Sequence, residues 1–171
     1  MCYGAILIYS LLIAFKGGSG SDTFLYERLY SSEFTFTSLF LTFSDVLFVS
    51  LMYIFKKNLL HFDTFNYLNS ILVFISLNLL AKRKSASLVV LYISLIGLNL
   101  DFSTMRQSYG MHVFSILYFS FSSFGLSFIL SLGFHKSAIF SFISNLNKYK
   151  LSLKSILLIF SFALVFYFIF L

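Results

Sequence analysis

The sequence predicts an all-α, polytopic integral membrane helix bundle of about six to eight apolar helices, and three observations predict it. Apolar residues make up 59% of the 171 residues and charged residues only 11%, with a mean hydropathy of +0.93. The apolar residues fall into repeated runs that approach the roughly 20 residues needed to cross a bilayer. No run alternates polar and apolar positions as a strand does. A segment in lipid must satisfy its own backbone polar groups, so each run reads as a helix.

The first run, residues 3–15, lacks a basic N-terminal region, and Ala14-Phe15-Lys16 offers no small-x-small cleavage site, so an uncleaved anchor is expected. Gly17-Gly18-Ser19-Gly20-Ser21 is flexible by composition, and residues 22–33 are the most polar stretch of the chain. Together residues 16–33 form the one substantial extracytoplasmic loop. Asp22, Tyr26 and Tyr30 are spaced four apart, so a helix there places all three on one face.

The second run, residues 34–55, decides the topology. If it crosses, Lys82-Arg83-Lys84 falls opposite Lys56-Lys57 and positive charge marks neither side. If it is interfacial or re-entrant, Lys82-Arg83-Lys84 and the cluster Lys148, Lys150, Lys154 are both cytoplasmic, and all six acidic residues (Asp22, Glu27, Glu33, Asp45, Asp63, Asp101) lie outside. The second arrangement is the more economical, and Ser38, Thr42 and Asp45 then give that helix a narrow polar stripe. In the crossing alternative Asp45 is a polar contact inside the bundle. Runs at 65–81, 86–100, 108–122, 124–134, a short one at 138–146 and a last at 156–171 complete a single membrane domain over residues 1–171, without internal repeat or dividing linker.

The formal charge of +6 does not point to nucleic acid, because the twelve basic residues are scattered over short inter-helix loops, where they set orientation. The single cysteine, Cys2, has no disulfide partner and no preceding lipidation box. His61 and His112 have no metal-ligand spacing and read as structural. No metal or cofactor is expected; Asp63 or Asp101 would take a divalent cation only if the fold brought a second carboxylate near.

Two stretches carry ionisable residues beside apolar runs, where such residues are costly and serve a site by default: Met105-Arg106-Gln107 and Phe134-His135-Lys136-Ser137. In the economical topology Asp22, Glu33, Asp101, Arg106 and His135 reach the same outer face. These residues resemble the EpsG family of bacterial membrane proteins, the Wzy-like exopolysaccharide and O-antigen polymerases. The resemblance rests on Asp22 with Tyr26 and Tyr30 after the first helix, Glu33 opening the next, Arg106-Gln107 at the outer start of a helix and His135-Lys136-Ser137 ending a later one. It covers about residues 1–155. Phe34 stands where the family commonly has proline after the acidic residue, and family members are typically longer, so a shortened copy is expected.

The resemblance implies a GT-C-like bundle in the bacterial inner (cytoplasmic) membrane, its functional residues facing outward. The reaction it implies moves a growing glycan from undecaprenyl diphosphate onto a new lipid-linked repeat unit. That chemistry needs a carboxylate to take the acceptor hydroxyl's proton, worth about 10² to 10⁴ in rate, and Asp22 or Glu33 is the candidate. It needs a cation on the diphosphate leaving group; a guanidinium matches phosphate oxygens bidentately, which points to Arg106. His135 is a second donor or proton carrier. Tyr26, Gln107, Lys136 and Ser137 are substrate contacts, Lys136 at the periphery of the phosphate. The implied partners are the lipid-linked oligosaccharide, membrane lipids and other polysaccharide-assembly proteins.

Plainer roles exist for each residue: Arg106 snorkelling to headgroups, His135 bonding a backbone carbonyl, Asp22 and Glu33 solvated in a loop, Tyr26 packing at the interface. Competing functions are a non-catalytic remnant or accessory subunit, and a membrane acyltransferase with His135 as base. A transporter is disfavoured, since carriers place ionisable residues near the midplane and here they gather at helix ends.

Overall fold

Helices account for all the regular structure among the described residues of the computed structural model, which are 2–16, 21–38, 45–122 and 124–135. The expectations for Lys136, Ser137, the cluster at Lys148, Lys150 and Lys154, and the runs 138–146 and 156–171 lie outside them. In chain order the elements are α1 (Cys2–Ala14), α2 (Ser21–Ser31), α3 (Val46–Lys57), α4 (Asp63–Arg83), α5 (Ala86–Tyr92), a π turn (Ile93–Gly97), α6 (Leu98–Ser103), α7 (Met105–Phe121) and α8 (Phe124–Phe134). All belong to one compact unit, Met1–Ala138.

The central element is α4, packed by α1 and by α7, with α8 against α7 in turn. Its interior face is unusual for a helix so apolar: Asn66, Asn69, Ser70 and Ser76 are buried beside Phe65, Val73 and Leu77, while Tyr67, Ile71, Phe74 and Ile75 are exposed. Small polar residues let backbones approach and bond across helices. The Ser70 hydroxyl donates to the Ser10 carbonyl of α1 at 2.6 Å, and the Tyr109 hydroxyl of α7 donates to the Phe65 carbonyl of α4 at 2.7 Å. Among the described residues α4 is the one helix long and apolar enough to cross a membrane by length and composition.

Two apolar clusters flank α4. One gathers Tyr26 from α2, Phe48, Val49 and Met52 from α3, Phe62, Phe65, and Met105 and Tyr109 from α7. The other joins Ile6, Tyr9 and Ile13 of α1 to Val73, Leu77 and Val89.

The run at 34–55 is not one helix. A helical turn opens at Phe36, where Thr35 and Ser38 exchange side-chain bonds to each other's backbone amide at 3.1 and 3.2 Å. Asp45 then stands outside the helical region at φ −96° and ψ 85°, immediately before α3. The 12 residues of α3 span about 18 Å, short of a bilayer's hydrocarbon core. The expected stripe of Ser38, Thr42 and Asp45 does not hold at Asp45, whose backbone is not helical; Thr42 lies outside the described residues.

The run at 86–100 extends to Ser103 through the π turn, where Gly97 faces α1. A Cβ there would lie 2.5 Å from the Tyr9 hydroxyl, so only glycine lets Tyr9 pass. Thr104, at φ −118° and ψ 73°, breaks the chain between α6 and α7. Thus α7 opens at Met105, earlier than the apolar run, and takes Arg106 into its first turn.

Candidate functional site

Arg106 is where the sequence expectation and the geometry meet. Its Nη1 donates to the Asp45 Oδ2 carboxylate oxygen, and its guanidinium carbon lies 5.5 Å from the centre of the Tyr26 ring. Asp45 is 2% exposed and the Arg106 side chain 20%, so the pair is drawn well inside the protein while the arginine keeps a path outward. Tyr26 is buried and its ring meets Phe48 edge-on at 5.1 Å. It therefore supports the guanidinium from below through cation–π attraction.

His135 arrives on the same side of α7. Gly110 lies one turn after Arg106, and a Cβ on it would sit 3.2 Å from the Ser131 carbonyl and 3.7 Å from the His135 amide. The bare glycine thus lets the end of α8 close onto α7, with Tyr109 and Phe134 stacked at 5.8 Å. The His135 amide donates to the Ser131 carbonyl at 3.1 Å. Gly133 faces Leu47, two residues after Asp45, which brings α8 against the start of α3 as well.

The remaining expected residues are placed less closely. Asp22 lies in the first turn of α2, and its side chain is outside the described residues. Glu33 is exposed beyond the end of α2, and Gln107 is half-buried in the first turn of α7. So the structure brings together Tyr26, Arg106 and the end of α8, adds Asp45, and does not join Glu33 to them.

A second polar centre lies wholly inside the bundle around Asp101, which is 0% exposed. Its Oδ2 accepts from the Tyr9 hydroxyl at 2.8 Å and the Tyr92 hydroxyl at 2.9 Å. Its Oδ1 accepts from the Ser108 hydroxyl at 2.7 Å and faces His112 Nε2 at 2.9 Å. The other His112 nitrogen meets the Ser76 hydroxyl. Lys16 Nζ donates to the Asp101 and Phe102 carbonyls at 2.7 and 3.0 Å, placing a cation at the C-terminal end of α6 where the helix dipole favours one.

This centre corrects two expectations. Asp101 does not reach the outer face with the others, because four helix-borne donors from α1, α5 and α7 turn it inward. Ionisable residues are also not confined to helix ends: Asp101 and His112 pair in the interior. Sequence reasoning passed over Asp45 as a site residue and read His112 as structural. The available signal was the cost of ionisable groups in apolar runs, which applied to Asp45, Asp101 and His112 as much as to Arg106. Among the described residues no group of three His, Cys, Asp or Glu could hold a metal ion. Among the described residues the hydrogen bonds of Asp101 join it to no second carboxylate.

The loop side of α2 carries one further feature. The Tyr30 hydroxyl donates to the Leu60 carbonyl at 2.7 Å, and burial raises its phenol pKa, which keeps it the donor. Lys56 Nζ donates to the Tyr30 carbonyl at 2.8 Å and to the Ser32 carbonyl, and sits 4.3 Å from the centre of the Phe34 ring. These bonds tie the end of α2 to the turn between α3 and α4.

Comparison with protein families gives a match to the family described as the EpsG family over residues 1–171. No curated protein and no solved structure matches the chain.

Proposed function

We propose, from the premise that the chain belongs to the EpsG family, that it is a multi-pass membrane protein of glycosyltransferase type. It extends a surface polysaccharide from undecaprenyl diphosphate-linked repeat units on the outer side of the bacterial inner membrane. The observation that carries the proposal is Arg106, a guanidinium fixed in the first turn of α7 between the Asp45 carboxylate and the Tyr26 ring.

A guanidinium has five donors in a rigid fork, and the bond to Asp45 is made by Nη1. Asp45 sets the plane of the fork, and the positive charge of the guanidinium stabilises the diphosphate oxygens as negative charge develops on the leaving group. The helix N-terminus adds a favourable field for an anion at the same place. His135, at the end of α8 on this side of α7, is a second donor or proton carrier. Gln107, Lys136 and Ser137 contact substrate around it. Asp22 or Glu33 takes the proton of the acceptor hydroxyl, the lone pair freed on that oxygen attacks the anomeric carbon, and the diphosphate departs with the bonding pair.

The membrane reading is supported by large apolar side chains facing outward over an interior that mixes apolar clusters with buried polar groups. Among the described residues twelve buried ones are Ser, Thr, Asn, Asp or His, whereas Tyr3, Ile8, Phe15, Leu95, Phe121 and Ile129 are each more than 60% exposed. Lipid accepts such an outer surface more readily than water does. The basic residues Lys82-Arg83-Lys84 favour a cytoplasmic position for the C-terminus of α4.

The acyltransferase alternative gains no site from the interior chain Asp101–His112–Ser76. Ser76 and His112 are 2% and 1% exposed, so an acyl donor has no approach to that hydroxyl.

The test is the length distribution of the polysaccharide in a strain lacking the gene, with and without complementation. Collapse to single repeat units, restored by the intact chain, is expected; an unchanged distribution refutes the polymerase and favours an accessory or remnant protein. Arg106→Lys keeps the charge and loses the fork, so it is expected to insert normally and to fail in chain lengthening.

A further inference from the structure

We infer that the pocket between α2 and the α3–α4 turn is a carbohydrate subsite that holds one uncharged sugar unit beside the Arg106 centre. The pocket has a volume of about 320 Å³ and is lined by Glu27, Tyr30, Ser31, Leu60, His61 and Phe62. That is the small end of the range for ligand pockets, roughly 300–1,000 Å³, and suits a single ring rather than a chain.

Its chemistry selects the ligand. Glu27, Tyr30 and Ser31 stand at i, i+3 and i+4 on α2 and so share one face. The Tyr30 and Phe62 rings, 5.7 Å apart, form an apolar wall against which the CH face of a sugar can lie. Two of the polar groups are acceptors. The Glu27 carboxylate takes hydroxyl donors, and so does the Ser31 oxygen, whose own proton goes to the Glu27 carbonyl at 2.7 Å. His61 has Nδ1 2.9 Å from the Asp63 carboxylate, and its imidazole offers Nε2 as a further polar partner. A ligand with several hydroxyl donors and an apolar face satisfies this set; a phosphate is repelled by Glu27.

The position links it to the proposed reaction. Tyr30 follows Tyr26 by one turn of α2, about 6 Å along the axis, and Tyr26 carries the Arg106 guanidinium. The rings of Tyr26, Phe48, Phe65 and Tyr30 run continuously between the two places, with successive centroids 5.1, 6.1 and 5.7 Å apart. A substrate with a diphosphate at one end and sugars at the other spans both. The subsite rests on the polymerase reading for the identity of that substrate, and on the pocket's own chemistry for sugar binding.

The experiment uses the full chain in lipid nanodiscs and, as probe, the free oligosaccharide released by mild acid from the host's lipid-linked precursors, followed by saturation-transfer NMR. Binding by the wild type is expected, weakened about tenfold or more by Glu27→Gln and by His61→Ala, as for loss of a hydrogen bond to a charged group or a polar ring nitrogen. Both side chains are exposed, so both variants are expected to keep wild-type helix content by circular dichroism. Inorganic diphosphate is expected not to displace the oligosaccharide. No wild-type signal, unchanged binding in Glu27→Gln and His61→Ala, or displacement by diphosphate overturns the subsite. The deletion experiment reads polymerisation separately, so failure of one conclusion is not failure of the other.

Discussion

Arg106 and Asp45 are 61 residues apart in sequence, and each is accounted for by the other. A guanidinium with its side chain only 20% exposed needs a counter-charge, and a carboxylate at 2% needs one more. Replacing Asp45 with Ala takes the counter-charge from a largely buried guanidinium, and the expected loss is about 3 kcal/mol, the lower end for breaking a buried pair because Arg106 keeps some solvent. Thermal unfolding of the purified variant reads it, and an unchanged midpoint would show that Asp45 does not hold Arg106. Asp101 makes a sharper case, since four donors converge on its two oxygens. Asp101→Ala leaves Tyr9 without its acceptor and weakens the bonds of Tyr92 and His112, at about 1–3 kcal/mol for each unmet bond, while Ser108 keeps the Asn69 oxygen at 2.9 Å; this variant is expected not to accumulate in the membrane, as a quantitative blot would show. Asp101→Asn is expected to recover part of the level, because its carbonyl still accepts from Tyr9 or Tyr92. Accumulation of Asp101→Ala at wild-type level would contradict the network.

The helices were readable as helices because lipid leaves a chain no other local solution, and the long apolar runs carried that signal. Their breaks were less readable. The apolar pattern continues across Asp45 without interruption from turn residues, since there is no Pro and no Gly between Phe34 and Phe55. The break at Asp45 coincides with its tertiary partner on α7, Arg106. The π turn is equally silent in the sequence, yet it places Gly97 under the Tyr9 hydroxyl. Gly97→Ala puts a Cβ 2.5 Å from that oxygen and 3.0 Å from a Tyr92 ring carbon, both ligands of Asp101. The expected cost is about 1–3 kcal/mol, from overpacking at a tight contact, and shows as a lowered unfolding midpoint. In the double variant Gly97→Ala with Tyr9→Phe the steric part is expected to be relieved, so a midpoint below the sum of the single effects would argue against this contact.

Among the described residues serines, asparagines and two carboxylates are buried beside two apolar clusters, while many large apolar side chains face outward. The proposed orientation rests on the ends of α4: it puts the turn at Leu59 on the outer side and Lys84, after the basic end, on the cytoplasmic side. With Cys2 replaced by Ser, a single cysteine at Leu59, 94% exposed, is expected to react with a membrane-impermeant maleimide in intact cells. One at Lys84 is expected to react only after the membrane is opened. The reverse pattern would invert the topology and remove Arg106 from the outer face.

The sequence by itself determined that the chain is helical and apolar enough for lipid, and it singled out Arg106 and His135, because composition and the cost of a charge beside apolar runs are local properties. Only the tertiary structure decided that Asp45 belongs with Arg106, that Gly110 lets His135 close onto α7, and that Asp101 and His112 face inward. Those are pairings between different segments, fixed at Asp45 and Asp101 by the desolvation of a polar group that its own segment does not satisfy, and at Gly110 by close packing.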